Sequence, residues 1–203
     1  MSEVPRLGVF GSAFNPPHLA HLVLAGEAIW QLGLDQLFVV PTGNAYHKGN
    51  TTGPGPEGRL RLANAAFASV EAVDVSDIEV RRSGPSYTCE TLELIAEQDG
   101  NSEIHLLMGA DAACGFSEWK RPERILELAR IAVAHRSGTE RETVEEVFSG
   151  LGADDRLGWV KMPRIDISSS MVRGRAEAGQ PLSHLVPEAV AEMIENEGMY
   201  APN

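Results

Sequence analysis

The stretch of residues 7–32 constrains the fold of this chain more than any other segment. An apolar run over 7–10 leads into small and turn-forming residues over 11–17, and apolar residues then recur at helical spacing over 19–32. This order predicts a short buried strand, a turn and a helix. The unpaired backbone N–H groups and the dipole of such a helix face the carboxyl end of the strand and attract phosphate there.

Two histidines, His18 and His21, fall on one face of the first turn of the predicted helix. Imidazole donates a hydrogen bond when neutral and adds positive charge when protonated, so the pair suits a polyphosphate chain. In the structural alternative, one histidine is a helix cap and the other a surface residue. A zinc site is disfavoured because Cys89 and Cys114 stand alone, and the turn lacks the GxGxxG pattern of dinucleotide-binding oxidoreductases.

The turn and its histidines resemble the nucleotidylyltransferase signature G-G-[ST]-F-D-P-x-H-x-G-H, which reads GSAFNPPHLAH at residues 11–21. In that superfamily the histidines handle the ATP phosphates during transfer of a nucleotidyl group, which implies catalytic roles for His18 and His21. The resemblance also implies ATP binding by four residues of the turn, namely Gly11, Ser12, Ala13 and Phe14.

The segment departs from the usual signature at Ser12, Ala13, Asn15 and Ala20. Small side chains persist at three of these positions, so the backbone can still approach a phosphate closely. The amide at Asn15 removes a negative charge next to the expected anionic ligand, which does not weaken binding.

A second segment, near the carboxyl end of the chain, opens a predicted helix with Ser168, Ser169 and Ser170 and places Arg173 one turn further on. Taken alone, the serines are an N-cap and the arginine a surface charge. The sequence ISSSMVR also resembles the I-S-S-T-x-[IV]-R motif that binds ATP phosphates in the same superfamily. With phosphate bound at this motif, the serines would offer hydroxyl and N–H donors, and Arg173 would donate two hydrogen bonds to the phosphate. The resemblance also implies a catalytic role for Arg173. We therefore expect the two segments to meet around one triphosphate.

The segment SYTCETL at residues 86–92 resembles S-Y-T-x-D-T-L of nicotinate mononucleotide adenylyltransferases, with Glu90 in place of the usual aspartate. In that family the threonine and neighbouring backbone groups approach the pyridine carboxylate, which implies a substrate-binding role for Thr88. The alternative is a helix that is well capped by its Ser, Thr and Glu residues and needs no ligand.

Gly109 and Asp111 follow a predicted strand, and Trp119 lies eight residues later in a polar setting. This combination resembles the same pyridine-nucleotide family, in which the tryptophan lies against the nicotinate ring, and it implies that all three residues bind substrate. In the structural alternatives, Asp111 caps the next helix and Trp119 is a packing residue.

Two further basic residues follow predicted strands. Lys48 lies in a loop rich in Gly, Pro, Thr and Asn, where His47 and Lys48 resemble the family's Pro-Pro-His-Lys segment, and we expect it to act on phosphate; the alternative is a solvated loop lysine. Arg136 follows a predicted strand at its carboxyl end, where we expect it to bind substrate.

The length and net charge of the chain limit the classes of protein to which it can belong. A chain of 203 residues predicts one domain, 1–203, with a helical portion at about 164–203 packing on it. Its 17 Lys and Arg against 29 Asp and Glu give a net charge of −12, which argues against a nucleic-acid partner. Two isolated cysteines, no membrane-length apolar run and no signal sequence predict a cytoplasmic protein without a membrane partner, and a homo-oligomer is left open.

Alternation of strand and helix signals predicts an α/β fold: a Rossmann-like doubly wound, mainly parallel sheet with helices on both faces. The ligand is expected across the carboxyl ends of the strands. We predict strands near residues 6–10, 36–41, 73–80, 104–109, 130–135 and 158–162.

The resemblance implies transfer of AMP from ATP to nicotinate mononucleotide, giving deamido-NAD and pyrophosphate in NAD biosynthesis, with Mg²⁺ carried by ATP. A 5′-phosphate, whose second pKa is about 6, is largely ionised at neutral pH and needs no strong base. Catalysis then requires alignment of two anions and relief of developing charge. The alternatives are transfer to nicotinamide mononucleotide or another phosphate acceptor, and an inactive nucleotide-binding module.

Overall fold

Residues 4–44, 53–135 and 141–201 are described by the structure, which is a computed structural model. The strands of these residues are β1 (Arg6–Ser12), β2 (Gln36–Pro41), β3 (Val73–Val75), β4 (Glu103–Gly109), β5 (Ala129–His135) and β6 (Leu157–Lys161). The helices are α1 (Leu19–Leu32), α2 (Pro56–Phe67), α3 (Thr88–Asp99), α4 (Ala110–Cys114), α5 (Pro122–Leu128), α6 (Arg141–Gly150), α7 (Ser169–Glu177) and α8 (Glu188–Asn196).

The strands form one sheet in the order β3-β2-β1-β4-β5-β6. Strand β4 pairs in parallel with β1 and with β5, and β5 pairs in parallel with β6. The strand order reverses direction between β1 and β4. In sheets of this order, right-handed crossovers on either side of the reversal place helices on opposite faces. This confirms the predicted Rossmann-like doubly wound, mainly parallel α/β sheet with helices on both faces. Ligands of such sheets bind at the reversal point, beyond the carboxyl ends of the strands.

The predicted strand at 73–80 is wrong beyond Val75. The backbone N–H of Ile78 donates to Ser76 Oγ at 3.3 Å, and the N–H of Arg81 donates to the Asp77 carbonyl at 2.9 Å. A side-chain ion pair of 2.6 Å also joins Arg81 and Asp77. These local bonds bend the chain into a turn, because short polar side chains compete with ladder pairing for the backbone groups.

The contacts of the chain divide it into two compact units. The first comprises Met1–Gly11, Leu24–Phe38 and Tyr87–Arg164. Within it, the consecutive residues Leu106 and Leu107 are both buried, so both faces of β4 are covered, as is typical of parallel strands. Helix α3 packs against α5, and α4 packs against α6.

The second unit comprises Ser12–Val23, Val39–Ser86 and Ile165–Asn203. Helix α2 contacts both α8 and β3, and its buried stripe includes Leu62 and Phe67. The assignment of all 203 residues to one domain stays a prediction. No helix among the described residues has the length and apolarity needed to cross a membrane.

His105 is a buried titratable residue in the middle of β4. Burial lowers its pKa, Glu103 at 3.4 Å raises it, and Arg130 and Arg6 lower it, with a net lowering. The unfolded chain therefore takes up the proton first, and the free energy of unfolding decreases as the pH falls below the ordinary histidine pKa of about 6.5.

We expect the melting temperature to fall between about pH 7.5 and about pH 5.5, a range that spans that ordinary pKa, and to fall less in His105→Gln. Thermal denaturation followed by circular dichroism at several pH values measures both slopes. Equal slopes in the two proteins would show that His105 does not contribute.

Candidate active site

The loop between β1 and α1 holds a buried residue in a strained conformation. Phe14 has φ 46° and an exposed fraction of 1 %, a left-handed backbone conformation that is costly for a bulky side chain. Its ring packs edge-on against Phe67 at 5.9 Å between centroids and lies 5.0 Å from the ring of His21. Packing on both sides therefore holds the loop in a shape that an unsupported turn would not keep.

The two histidines stack on each other at the start of α1. Their ring centroids are 3.8 Å apart with an interplanar angle of 31°, and His18 is buried. The backbone N–H of His18 donates to His21 Nδ1 at 3.1 Å. A neutral His21 therefore carries its proton on Nε2, which makes that atom a donor. The imidazole of His21 thus accepts a hydrogen bond from a backbone N–H next to the helix start, as the capping alternative proposes.

Helix α7 begins as the serine-rich motif predicts. Ser168 is its N-cap and accepts a hydrogen bond from the backbone N–H of Met171 at 3.2 Å. One turn later, Arg173 Nη2 donates to Ser170 Oγ at 3.0 Å. The side chain of Arg173 is therefore held over the first turn of the helix, where the backbone N–H groups are unpaired within the helix.

The two motif segments touch each other. Ser169 Oγ donates to the carbonyl of Pro16 at 2.8 Å, and Arg173 Nη1 donates to the carbonyl of Asn15 at 2.7 Å. These bonds join the loop before His18 to the amino end of α7, across more than 150 residues of sequence. The meeting of the two segments, expected from the sequence, is present in the structure.

Arg59 is a part of this region that the motifs do not reveal. It is buried, and its Nη1 and Nη2 donate to the carbonyls of Ala13 and Gly43 at 2.8 and 2.9 Å. It therefore joins the loop after β1 to the loop after β2. Burial lowers its pKa, while Tyr200 and Glu79 raise it. The sequence signal was a cation in the apolar stripe of α2, at helical spacing from Leu62.

We expect Gly43→Ala to destabilise the protein by about 1–3 kcal/mol, because backbone must move to accommodate a methyl group. A Cβ at Gly43 would lie 2.1 Å from the carbonyl oxygen of Glu79. The matched control is Gly26→Ala in α1, where a Cβ would meet no atom of the described chain within 4 Å. There we expect a gain of about 0.5–1 kcal/mol. Urea denaturation of both variants measures the changes, and a neutral Gly43→Ala would contradict the clash.

Thr88, a residue expected to bind substrate, is the first residue of α3 and is half-buried. The predicted capping of this helix is wrong, because Tyr87 is the N-cap and makes no side-chain cap bond. The hydroxyl of Ser86 is used elsewhere and accepts a hydrogen bond from the backbone N–H of Asn44 at 3.2 Å.

The start of α3 meets the segment that carries Trp119. Lys120 Nζ lies 2.8 Å from Glu90 Oε1 and 3.8 Å from the centroid of the Tyr87 ring. Thr88 is next to Tyr87 and Trp119 is next to Lys120, so the segments that carry these two predicted residues contact each other. The ring of Trp119 is half-buried and lies 5.4 Å from that of Phe116, so it also packs on the core.

Gly11 and Gly109 lie near the carboxyl ends of neighbouring strands, since Phe10 pairs with Leu107 in the β1–β4 register. A Cβ at either glycine would meet no atom of the described residues within 4 Å. Packing within that part of the chain therefore does not require glycine at these positions. Asp111 is exposed in the first turn of α4 but does not cap it, because the N-cap is Gly109.

Two predicted site residues, Lys48 and Arg136, lie outside the described residues. Among the residues that are described, no group of three or more His, Cys, Asp or Glu side chains is placed to hold a metal ion. Ser12 ends β1, and the loop residue Ala13 follows it. The second compact unit contains the described residues of the two phosphate motifs, except Gly11. The first unit contains Gly11 and the described candidates for substrate binding, which are Thr88, Gly109, Asp111 and Trp119.

Comparison with known proteins identifies the family. A cytidylyltransferase-like family model matches residues 9–175. A probable nicotinate-nucleotide adenylyltransferase of Roseiflexus sp. is 39% identical over 203 residues, covering 98% of this chain and 100% of the relative. Another, of Dehalococcoides mccartyi, is 37% identical over 197 residues, covering 96% and 97%. The chain belongs to the nicotinate-nucleotide adenylyltransferase family. The resemblance found in the sequence is thereby confirmed, and this family member is a nucleotidyltransferase enzyme.

Solved structures of low sequence identity share the fold of this adenylyltransferase. The nicotinic acid mononucleotide adenylyltransferase of Plasmodium falciparum, complexed with NaAD, superposes with a TM-score of 0.78 at 17% identity, covering 97% of each chain. The same enzyme complexed with APC gives a TM-score of 0.75 at 16% identity. Nucleotidyltransferases of this kind use a divalent metal ion with ATP.

Proposed function

We propose that the residues described above carry out the reaction of the family, in which AMP is transferred from ATP to nicotinate mononucleotide. A 5′-phosphate oxygen of the mononucleotide attacks the α-phosphorus, the bond to the β-phosphate breaks, and deamido-NAD and pyrophosphate are released for NAD biosynthesis. The observation that carries the proposal is the contact of the two motif segments, through Arg173 to Asn15 and Ser169 to Pro16.

The phosphates of ATP would bind where α1 and α7 begin. His21 would present its Nε2 proton to the phosphates. The first backbone N–H groups of α7 and the hydroxyls of Ser168 and Ser170, which accept hydrogen bonds in the structure and keep their protons, would add neutral donors. Arg173 supplies the positive charge of its guanidinium, which the bonds to Asn15 and Ser170 hold in place. Donors held in place before the reaction stabilise the charge that develops on the α-phosphoryl group and on pyrophosphate.

ATP would enter as its Mg²⁺ complex, and the ion belongs to the substrate in this proposal. It supplies charge neutralisation on the phosphates when ATP is bound. The protein residues supply alignment and hydrogen bonds, and no protein nucleophile is needed because the acceptor phosphate is already ionised.

The pyridine ring of the acceptor would bind beside the start of α3. Thr88 would donate to the pyridine carboxylate, Trp119 would stack on the ring, and Asp111 would bind a ribose hydroxyl. Support comes from the bond of Lys120 to Glu90, which holds the segment of Trp119 against the first turn of α3. At the carboxyl end of β4, a Cβ at Gly109 would meet no described atom within 4 Å, which leaves room for a ligand there.

Release of pyrophosphate, measured with ATP and one acceptor at a time, tests this function. We expect turnover with nicotinate mononucleotide, and comparison with nicotinamide mononucleotide and phosphopantetheine measures the preference among acceptors. Binding of ATP by calorimetry without product from any pyridine mononucleotide would instead indicate an inactive nucleotide-binding module.

Several features of the proposal rest on the sequence alone. Lys48 would act on the phosphates and Arg136 on the substrate. It also remains a prediction that the protein is cytoplasmic and has no nucleic-acid or membrane partner. Whether it forms a homo-oligomer is left open.

A further inference from the structure

The carboxyl-terminal segment reaches the loop after β1. Tyr200, in the turn beyond α8, is half-buried and has φ 65°. Its hydroxyl donates to Asn15 Oδ1 at 2.7 Å. Burial raises the pKa of Tyr200 even though Arg173 and Arg59 lower it, so the hydroxyl keeps its proton at neutral pH. Tyr200 therefore remains a hydrogen-bond donor to Asn15 at neutral pH.

Asn15 connects this tyrosine to the proposed ATP site. Its side chain accepts the bond from Tyr200, and its main-chain carbonyl accepts the bond from Arg173 Nη1 at 2.7 Å. Asn15 is buried, with an exposed fraction of 4 %. A buried acceptor that loses its donor is costly, so the tyrosine hydroxyl stabilises the orientation of the amide that the structure shows.

The backbone at Gly53 encloses the Tyr200–Asn15 pair. A Cβ at this glycine would lie 2.5 Å from Tyr200 Cε1 and 2.8 Å from Asn15 Oδ1. The chain just before α2 therefore packs directly on both partners. With little room for either group to move, the hydrogen bond fixes a single arrangement of the loop.

We infer that Tyr200 is a positioning residue of the proposed adenylyltransferase site. Through Asn15 it holds the carbonyl on which the guanidinium of Arg173 is anchored. The inference rests on the proposed function of Arg173. Without the hydroxyl, the loop and Arg173 would sample other positions, and ATP would be aligned less often for transfer.

Tyr200→Phe tests the inference because it removes only the hydroxyl. We expect kcat/KM for ATP to fall about tenfold, while KM for nicotinate mononucleotide stays close to the wild-type value and the melting temperature falls by only a few degrees. In an Asn15→Ala background, Tyr200→Phe should have little further effect, since the tyrosine acts through the asparagine.

The matched control is Glu197→Gln, which breaks the exposed ion pair between Glu197 and Arg61. This pair ties the same carboxyl-terminal segment to α2, and its loss should leave the kinetics unchanged. Wild-type kinetics in Tyr200→Phe, an equal loss in Glu197→Gln, or an undiminished effect in the Asn15→Ala background would each overturn the inference.

The failure of the proposed function would be visible separately. If the wild-type protein formed no dinucleotide with any acceptor, binding of the ATP analogue α,β-methylene ATP would be measured by calorimetry. We then expect Tyr200→Phe, but not Glu197→Gln, to weaken binding about tenfold. Equal affinities of wild type and Tyr200→Phe would overturn the positioning role even in that case.

Discussion

Replacing His18 or His21 with alanine is expected to lower turnover by about two to three orders of magnitude while the fold remains. The two rings stack at the start of α1, and the bond from the His18 N–H leaves the proton of neutral His21 on Nε2. His21→Ala removes the Nε2 donor that would face the phosphates as charge develops, and His18→Ala removes the ring that packs against His21. Steady-state pyrophosphate release measures turnover, and circular dichroism measures the fold.

His184→Ala is the control for this pair, because His184 is an exposed histidine of the same compact unit. Its activity should equal that of the wild type. His18 is buried, so His18→Ala is the variant more at risk of unfolding. His21 is half-buried, so we expect His21→Ala to fold and to report on catalysis even if His18→Ala does not. Turnover near the wild-type value in both folded variants would remove the proposed catalytic role.

Arg173→Met is expected to lower kcat/KM for ATP by about two to three orders of magnitude. The substitution removes the guanidinium charge and both bonds that hold the side chain, to Asn15 and Ser170. Arg173→Lys should fall between methionine and wild type, because an ammonium keeps the charge but lacks the planar fork. Initial rates at varied ATP concentration measure the effect.

Arg175→Met provides the comparison on the same helix. The guanidinium of Arg175 binds the Pro181 carbonyl at 3.0 and 3.2 Å, so this variant changes the charge of α7 without touching the loop after β1. We expect its kinetics to match those of the wild type. If Arg175→Met lost as much activity as Arg173→Met, general positive charge would explain the result better than a specific contact.

The local elements were largely predictable because each follows from short-range periodicity. The bounds of α1, Leu19–Leu32, coincide with the apolar helical pattern, and strand β2 coincides with the predicted 36–41. Strand β3 was overestimated because Ser76 and Asp77 engage backbone groups locally, an effect that apolar content does not show.

The sequence names candidate site residues where they lie in motifs and misses those that depend on long-range contacts. His18, His21 and Arg173 are candidates because their motifs resemble those of the superfamily, but no motif contains Arg59 or Tyr200. Their importance comes from the acceptors they reach, the carbonyls of Ala13 and Gly43 for Arg59, and the amide of Asn15 for Tyr200. Which acceptor a buried side chain reaches depends on tertiary packing, and it cannot be predicted from a single sequence.

The sequence by itself determined the alternation of strands and helices and the class of the sheet, because these depend on side-chain type and spacing. The two motif segments were identified by their resemblance to a known superfamily, and the order of the strands came from the structure. Only the tertiary structure decided that Asn15 would receive both Arg173 and Tyr200. The physical reason is that a buried carbonyl or amide must find a donor, and which donor arrives depends on how distant segments pack around it.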